Sequence, residues 1–258
     1  MEFTTILTQR EASTLYVQIN RPEVDNKLSI ACMQELRTLF ERSAQDKICR
    51  AIVLSGNSDW FCSGGELGDF RKKSILEIRT FGAAFISLHL AMQNCARPII
   101  AAVEGKAFGG GCSLVEACDL AIAAEDAQFA VPEILDGLAP AMGFSGMFSN
   151  LPKKKAMAMG LLGEKLDAAQ ALAAGLVNQV VPRQCALQAA GEMAAKFAGL
   201  TPTGVRLFKE MYADMGQRDY ENRLKIGQGM MISLFKSKDG MEVLNSRDEN
   251  RHPIWCEE

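Results

Sequence analysis

Apolar residues recur along this chain in two rhythms. Leu15, Val17 and Ile19 alternate with polar or aromatic neighbours, the period-two pattern of a strand, and Arg21-Pro22 ends the run. After Ser29, a candidate N-cap, Ile30, Met33, Leu36 and Phe40 return at helical spacing. RAIVLSG (Arg50–Gly56) is a short continuous apolar run closed by glycine, and the turn NSDW leads into FCSGGELGDF (Phe61–Phe70). A helical pattern then runs from about Ser74 to Cys95 and stops before Pro98. PIIAAVEG reads as a second buried strand, followed by Gly109-Gly110-Gly111 and a short helix from about Cys112 to Ala117. CDLAIAAE and AQFAV read as two further strands.

Continuous apolar strands alternating with helices predict an α/β fold with a parallel sheet. From about Ala156 helices dominate, interrupted by a short strand that ends at Pro182. Past Pro202 three more helical segments follow, one of them a Met-rich stretch over Tyr220–Phe235. The expected organisation is an α/β core over residues 1–200 and a helical region over 201–258. No glycine-serine linker marks a free second domain.

Composition narrows the partners. A net charge of −3 over 258 residues gives no bulk attraction to nucleic acid or to an anionic membrane. No apolar run is read as a membrane span, and MEFTTILTQRE has no basic-then-apolar leader, so a cytoplasmic protein is expected. Eight cysteines without a C-x-x-C pair, beside only two histidines, predict reduced buried thiols and no metal site.

The glycine run invites a phosphate-loop reading, but its spacing fits neither G-x-x-x-x-G-K-[ST] nor G-x-G-x-x-G. A tight strand-to-helix turn explains the glycines structurally. The same turn also leaves unpaired backbone N–H groups at a helix start, donors suited to an oxygen that gains negative charge during reaction. A second glycine turn, Gly64-Gly65, follows another strand. Two such turns at neighbouring strand ends would form a two-donor oxyanion hole.

Six stretches, in this order and spacing, resemble the crotonase superfamily, the enoyl-CoA hydratase/isomerase family. They are NRPE (Asn20–Glu23), RAIVLSG, FCSGGEL (Phe61–Leu67), PIIAAVEGKAFGGGCSL (Pro98–Leu114), ACDLAIAAEDAQFAVPEILDGLAP (Ala117–Pro140) and AGLVNQVVP (Ala174–Pro182). The resemblance implies a spiral of ββα units with a C-terminal helical region that drives trimer formation, as homotrimer or homohexamer. It implies oxyanion donors at the backbone N–H groups of Gly65 and Gly110, and a thioester-binding neighbourhood of Cys62, Ser63, Gly64, Gly65, Leu67 and Gly110. The substrate would be an acyl-CoA or an acyl-carrier-protein thioester. Coenzyme A or phosphopantetheine arrives as part of that substrate, with no separate cofactor.

Hydratases of that family use two glutamates. The second is matched by Glu133, in VPEILDG, whereas the first is replaced by Ser113. A serine hydroxyl has no useful acid–base character near neutrality without an activating partner. A lone glutamate suffices for a 1,3-proton shift, so the resemblance points to Δ3–Δ2 enoyl isomerisation with Glu133 as proton shuttle. Asp136 and Glu116 are further candidate acids, and Ser113 is also a favoured residue at a helix start. His89 reads as a packed helix histidine and His252 as a tail residue. Lys153–Lys155 reads as a solvated helix start, with contact to coenzyme A phosphates as the alternative. Met230 and Met231 read as packing residues. Three alternatives remain open: a hydratase using Ser113 and a water, a dehydratase or decarboxylase of polyketide β-branching on carrier-protein thioesters, and a non-catalytic scaffold.

Overall fold

Strands that are apolar on both faces need cover on both sides, and this chain supplies it with helices. The computed structural model describes residues 3–66, 68, 72–136, 138–145, 151–215 and 237–256. The larger sheet contains β1 (Ile6–Glu11), β2 (Thr14–Ile19), β3 (Ala51–Ser55), β5 (Ile99–Val103), β7 (Leu120–Ala124) and β10 (Gln179–Val181), neighbouring one another in that order. β1 and β2 form an antiparallel hairpin with Ile6 opposite Ile19; from β2 onward every pair is parallel. β3 and β5 are buried along their whole length. Ile52, Leu54, Ile99, Ala101 and Val103 belong to the main core, while Val53, Ile100 and Ala102 meet Ala186, Ala190 and Ala194 of the helix Ala186–Ala195. That two-sided burial is why these strands read as unbroken apolar runs.

A smaller sheet holds β4 (Trp60–Cys62), β6 (Lys106–Phe108), β8 (Gln128–Ala130) and β9 (Leu166–Asp167). The first three are parallel and β9 is antiparallel to β8. The chain alternates between the sheets. β3 then β4 lead to α2 (Ile75–Gln93), β5 then β6 lead to α3 (Gly110–Ala117), and β7 then β8 lead to a 3₁₀ turn (Pro132–Asp136). This is the expected repetition of ββα units.

The helix boundaries follow their caps. Ser29 Oγ accepts the Cys32 N–H at 3.1 Å to start α1 (Ile30–Ser43). Ser74 and Glu77 close a reciprocal capping box at the start of α2. α3 begins at Gly110, two residues earlier than expected from the apolar pattern, because Gly109 turns the chain at positive φ and the helix can start immediately after it.

α2 also corrects the reading that no segment is apolar enough to span a membrane. By length and composition alone it qualifies. It packs on α1 and α3, burying Phe85, Leu88, Ala91 and Met92. β1, β4, β6 and β9 were not foreseen, since three of them are two or three residues long and carry no periodicity. The Met-rich stretch around Tyr220–Phe235, with Met230 and Met231, lies outside the described residues.

Candidate active site

β4 and β6 run side by side in parallel, so the turns that leave them emerge at the same end of the small sheet. Leu28 N–H donates to Gly64 O at 2.8 Å, and Glu66 N–H donates to Leu28 O at 2.9 Å. Pairing through residues 64 and 66 turns the amide of Gly65 to the opposite side of the strand. On the other turn, Gly109 N–H is fixed to Ala130 O at 2.8 Å, and Gly110 opens α3 with its N–H at the free end of the helix. Among the described residues neither Gly65 N–H nor Gly110 N–H meets an acceptor.

The two turns lie against each other. A methyl on Gly110 would stand 3.6 Å from Gly65 N, and one on Gly64 would stand 3.6 Å from Gly110 N. Gly64 (φ 113°) and Gly109 (φ 51°) adopt backbone conformations that side chains disfavour. Gly111 is pressed so closely on β4 that a methyl would overlap the Cys62 carbonyl oxygen. Two such N–H groups, brought together on adjacent turns, are what an oxyanion needs.

Glu133 lies in the 3₁₀ turn after β8, the third strand of the same parallel set. Its Oε1 is 2.9 Å from where a methyl on Gly109 would stand and 3.3 Å from where one on Gly143 would stand. These two glycines therefore make room for the carboxyl. Oε2 is buried and has no hydrogen-bond partner among the described residues. Burial raises the Glu133 pKa; its own backbone amide opposes the rise, and the charge of Asp136 adds to it. Such a carboxyl is available in both protonation states at higher pH than an exposed one.

Ser113 lies one turn along α3, its N–H on Gly109 O at 3.1 Å, and is fully buried. Its Oγ is 2.9 Å from His89 Nε2, and His89 Nδ1 is 2.9 Å from Phe85 O. The imidazole also stacks on the Phe85 ring, with centroids 4.0 Å apart. Burial lowers the His89 pKa, while the contacts with Phe85 and Ser113 oppose that shift.

The remaining candidates separate clearly. The Cys62 thiol is buried in the core, its pKa pushed up to about 12 by burial, so only its backbone borders the site. Ser63 donates its N–H to Asp25 O at 3.1 Å, and its buried Oγ has no partner among the described residues. Leu67 lies outside the described residues. Asp136 is exposed, and Glu116 is half-buried further along α3. Lys153 and Lys154 are exposed at the start of a helix, Lys153–Leu162, and His252 is exposed near the end of the chain. Among the described residues no cluster of three or more His, Cys, Asp or Glu side chains could hold a metal ion.

Two contributions escaped the sequence. Phe81, Phe85 and His89 follow one another at four-residue spacing on α2, and that face covers the site. The ring of Phe81 comes within 2.8 Å of a methyl position on Gly65, and that of Phe85 within 3.3 Å of one on Gly110. The partner of His89 is 24 residues away in the sequence, so no local pattern could reveal it.

Comparisons with known proteins agree with this fold. A family model described as enoyl-CoA hydratase/isomerase matches residues 9–258. A 2,3-dehydroadipyl-CoA hydratase from Escherichia coli is 33% identical over 249 residues, covering 96% of this chain and 97% of the relative. A probable mitochondrial enoyl-CoA hydratase from Dictyostelium discoideum is 31% identical, covering 98% of this chain and 91% of the relative. The crystal structure of an enoyl-CoA hydratase from Bacillus anthracis superposes with a TM-score of 0.92 at 27% identity, covering 99% of this chain and all of that one.

Proposed function

The chain belongs to the enoyl-CoA hydratase/isomerase family, and we propose that it moves protons on an enoyl thioester through an enolate, with Glu133 as the shuttle. The observation that carries this reading is the buried Oε2 of Glu133, beside two glycine turns whose N–H groups, like it, have no partner among the described residues. In Δ3–Δ2 isomerisation the Glu133 carboxylate takes a proton from the α-carbon of a 3-enoyl thioester. The electron pair moves into the thioester oxygen, which the amides of Gly65 and Gly110 receive. The carboxyl then returns the proton to the γ-carbon, and the double bond ends conjugated with the thioester. Each good donor to the oxyanion is worth about 3 kcal/mol. A raised carboxyl pKa suits a group that must both take and give a proton.

A second reading is reversible addition of water. It is favoured by the relatives named as hydratases and by the contact of Ser113 with His89. Either reaction is offered here on a coenzyme A thioester, with a carrier-protein thioester as the other form of the same acyl group.

The test is Glu133→Gln, which keeps the shape and removes the proton exchange. Turnover of 3-enoyl and 2-enoyl thioesters should fall at least about 10³-fold while ligand binding stays within a few-fold. Wild-type turnover in that variant contradicts the assignment.

A further inference from the structure

Glu133 leaves Ser113 and His89 unused, yet with a neutral imidazole their hydrogen bonds can be read only one way. A carbonyl oxygen accepts and never donates, so the contact with Phe85 O puts the proton of the neutral imidazole on Nδ1. Nε2 is then the bare nitrogen, and the hydroxyl of Ser113 donates to it. The ring is held on two edges and one face, by Phe85 O, Ser113 Oγ and the Phe85 ring. Burial favours the neutral, proton-accepting form.

The pair is also next to the oxyanion site. Phe85 stacks on His89 and its ring also meets the Gly110 position, and buried Ser113 lies three residues after Gly110 on α3, so the imidazole, Ser113 and an oxyanion donor are linked by direct contacts. α2 sets this register: Phe81 over Gly65, Phe85 over Gly110, His89 on Ser113. With its own proton committed to His89, Ser113 Oγ can present only lone pairs to an incoming group. The group that such an acceptor suits is an O–H: a water, or the β-hydroxyl of a 3-hydroxyacyl thioester.

We propose that Ser113 and His89 form a second proton-transfer pair, through which this site adds water to a 2-enoyl thioester and removes it from a 3-hydroxyacyl thioester. The proposal rests on the reading that the site binds enoyl thioesters. In the forward direction the water oxygen bonds to the β-carbon while one water proton passes to Ser113 Oγ. The Ser113 proton passes to His89 Nε2, giving an imidazolium. The double-bond electrons move through the enolate, and the α-carbon takes its proton from the Glu133 carboxyl. Solvent exchange then returns a proton to Glu133 and removes one from His89. Ser113 is the catalytic group that touches the water; His89 is a positioning residue that acts through it. Ser113 shares α3 with Gly110, and the pair would supply the second acid–base function that a single carboxylate lacks.

The experiment uses the full chain with 2-enoyl-CoA and 3-enoyl-CoA in ¹⁸O-labelled water, scoring label in the 3-hydroxyacyl product against isomerisation in the same sample. Wild type should incorporate label. Ser113→Ala and His89→Gln should each lower the ratio of hydration to isomerisation about 10²-fold, through kcat more than KM. Gln at 89 still offers the serine an acceptor but not a base, so a merely structural role predicts that His89→Gln keeps the wild-type ratio. The double variant should be no worse than either single one, as for groups acting as a unit. If His89→Gln does not fold, judged by its melting curve, Ser113→Ala decides. Isomerisation without label in wild type, or an unchanged ratio in Ser113→Ala or in folded His89→Gln, overturns the pair and leaves the Glu133 reading standing. Full isomerisation with lost hydration in Glu133→Gln, and hydration lost in Ser113→Ala as well, overturns the Glu133 isomerase reading and leaves the pair standing. Wild type inert on both thioesters overturns both.

Discussion

The two glycine turns offer the same kind of donor but are held in different ways. Gly65 sits on an exposed loop whose nearest obstacle is the tip of the Phe81 ring. Gly109, Gly110 and Gly111 are buried, and their obstacles are a carboxylate oxygen, a packed ring and the backbone of β4. A side-chain tip can swing aside, whereas a carbonyl oxygen of a strand cannot. The helix-start turn is therefore the rigid half of the site and the strand-end turn the adaptable half. Backbone donors make this possible, because the N–H survives any substitution except proline.

That contrast can be broken by adding single methyl groups. The largest effect is expected for Gly111→Ala, where the methyl runs into the Cys62 carbonyl. The cost should be about 3 kcal/mol or more, read as a large drop in melting temperature. Gly109→Ala comes next. Its φ of 51° strains an alanine, and the methyl meets Glu133 Oε1 at 2.9 Å, so the carboxyl must move. Strain of about 1–3 kcal/mol should appear in the melting curve, with kcat falling more than binding. Gly65→Ala should cost less: about 1 kcal/mol of stability and no more than about a 10-fold loss of kcat. Adding Phe81→Leu should recover part of it. If Gly65→Ala proves as damaging as Gly111→Ala, the adaptable half is not adaptable.

The smallest effect concerns stability and pH. Glu133 has its pKa raised in the folded chain, first by burial. Its contribution is therefore fully present below the unfolded pKa and is lost as pH rises through the folded one. Glu133→Gln removes that titration. Its melting temperature should exceed that of wild type at pH 8, with the gap closing as pH falls toward 4.

The sequence carried the parallel strands because β3, β5 and β7 are buried on both faces and need no long-range information to be seen. It also pointed to Gly65, Gly110 and Glu133 as candidates, through glycine chemistry and the order of the motifs, and the structure places all three at the ends of neighbouring strands of the small sheet. In the second sheet AQFAV showed β8, whereas β4, β6 and β9 escaped, since two or three residues carry no period; yet β4 and β6 are what bring the two turns together. His89 is packed on α2, as its apolar neighbours suggest, but its contact with Ser113 was not legible for a related reason. A histidine on an apolar helix has no visible partner until α2 is laid across α3 and Ser113 comes within 2.9 Å. Tertiary contact, not local pattern, gives that residue its hydrogen-bond partner.

The central claim is that Glu133 moves the proton between substrate carbon atoms. The direct measurement is deuterium incorporation at the α-carbon of a 3-enoyl thioester in deuterated water, followed for wild type and Glu133→Gln side by side. The account predicts exchange and isomerisation in wild type, and loss of both by at least about 10³-fold in the folded, ligand-binding variant. Exchange at the wild-type rate in Glu133→Gln would contradict it.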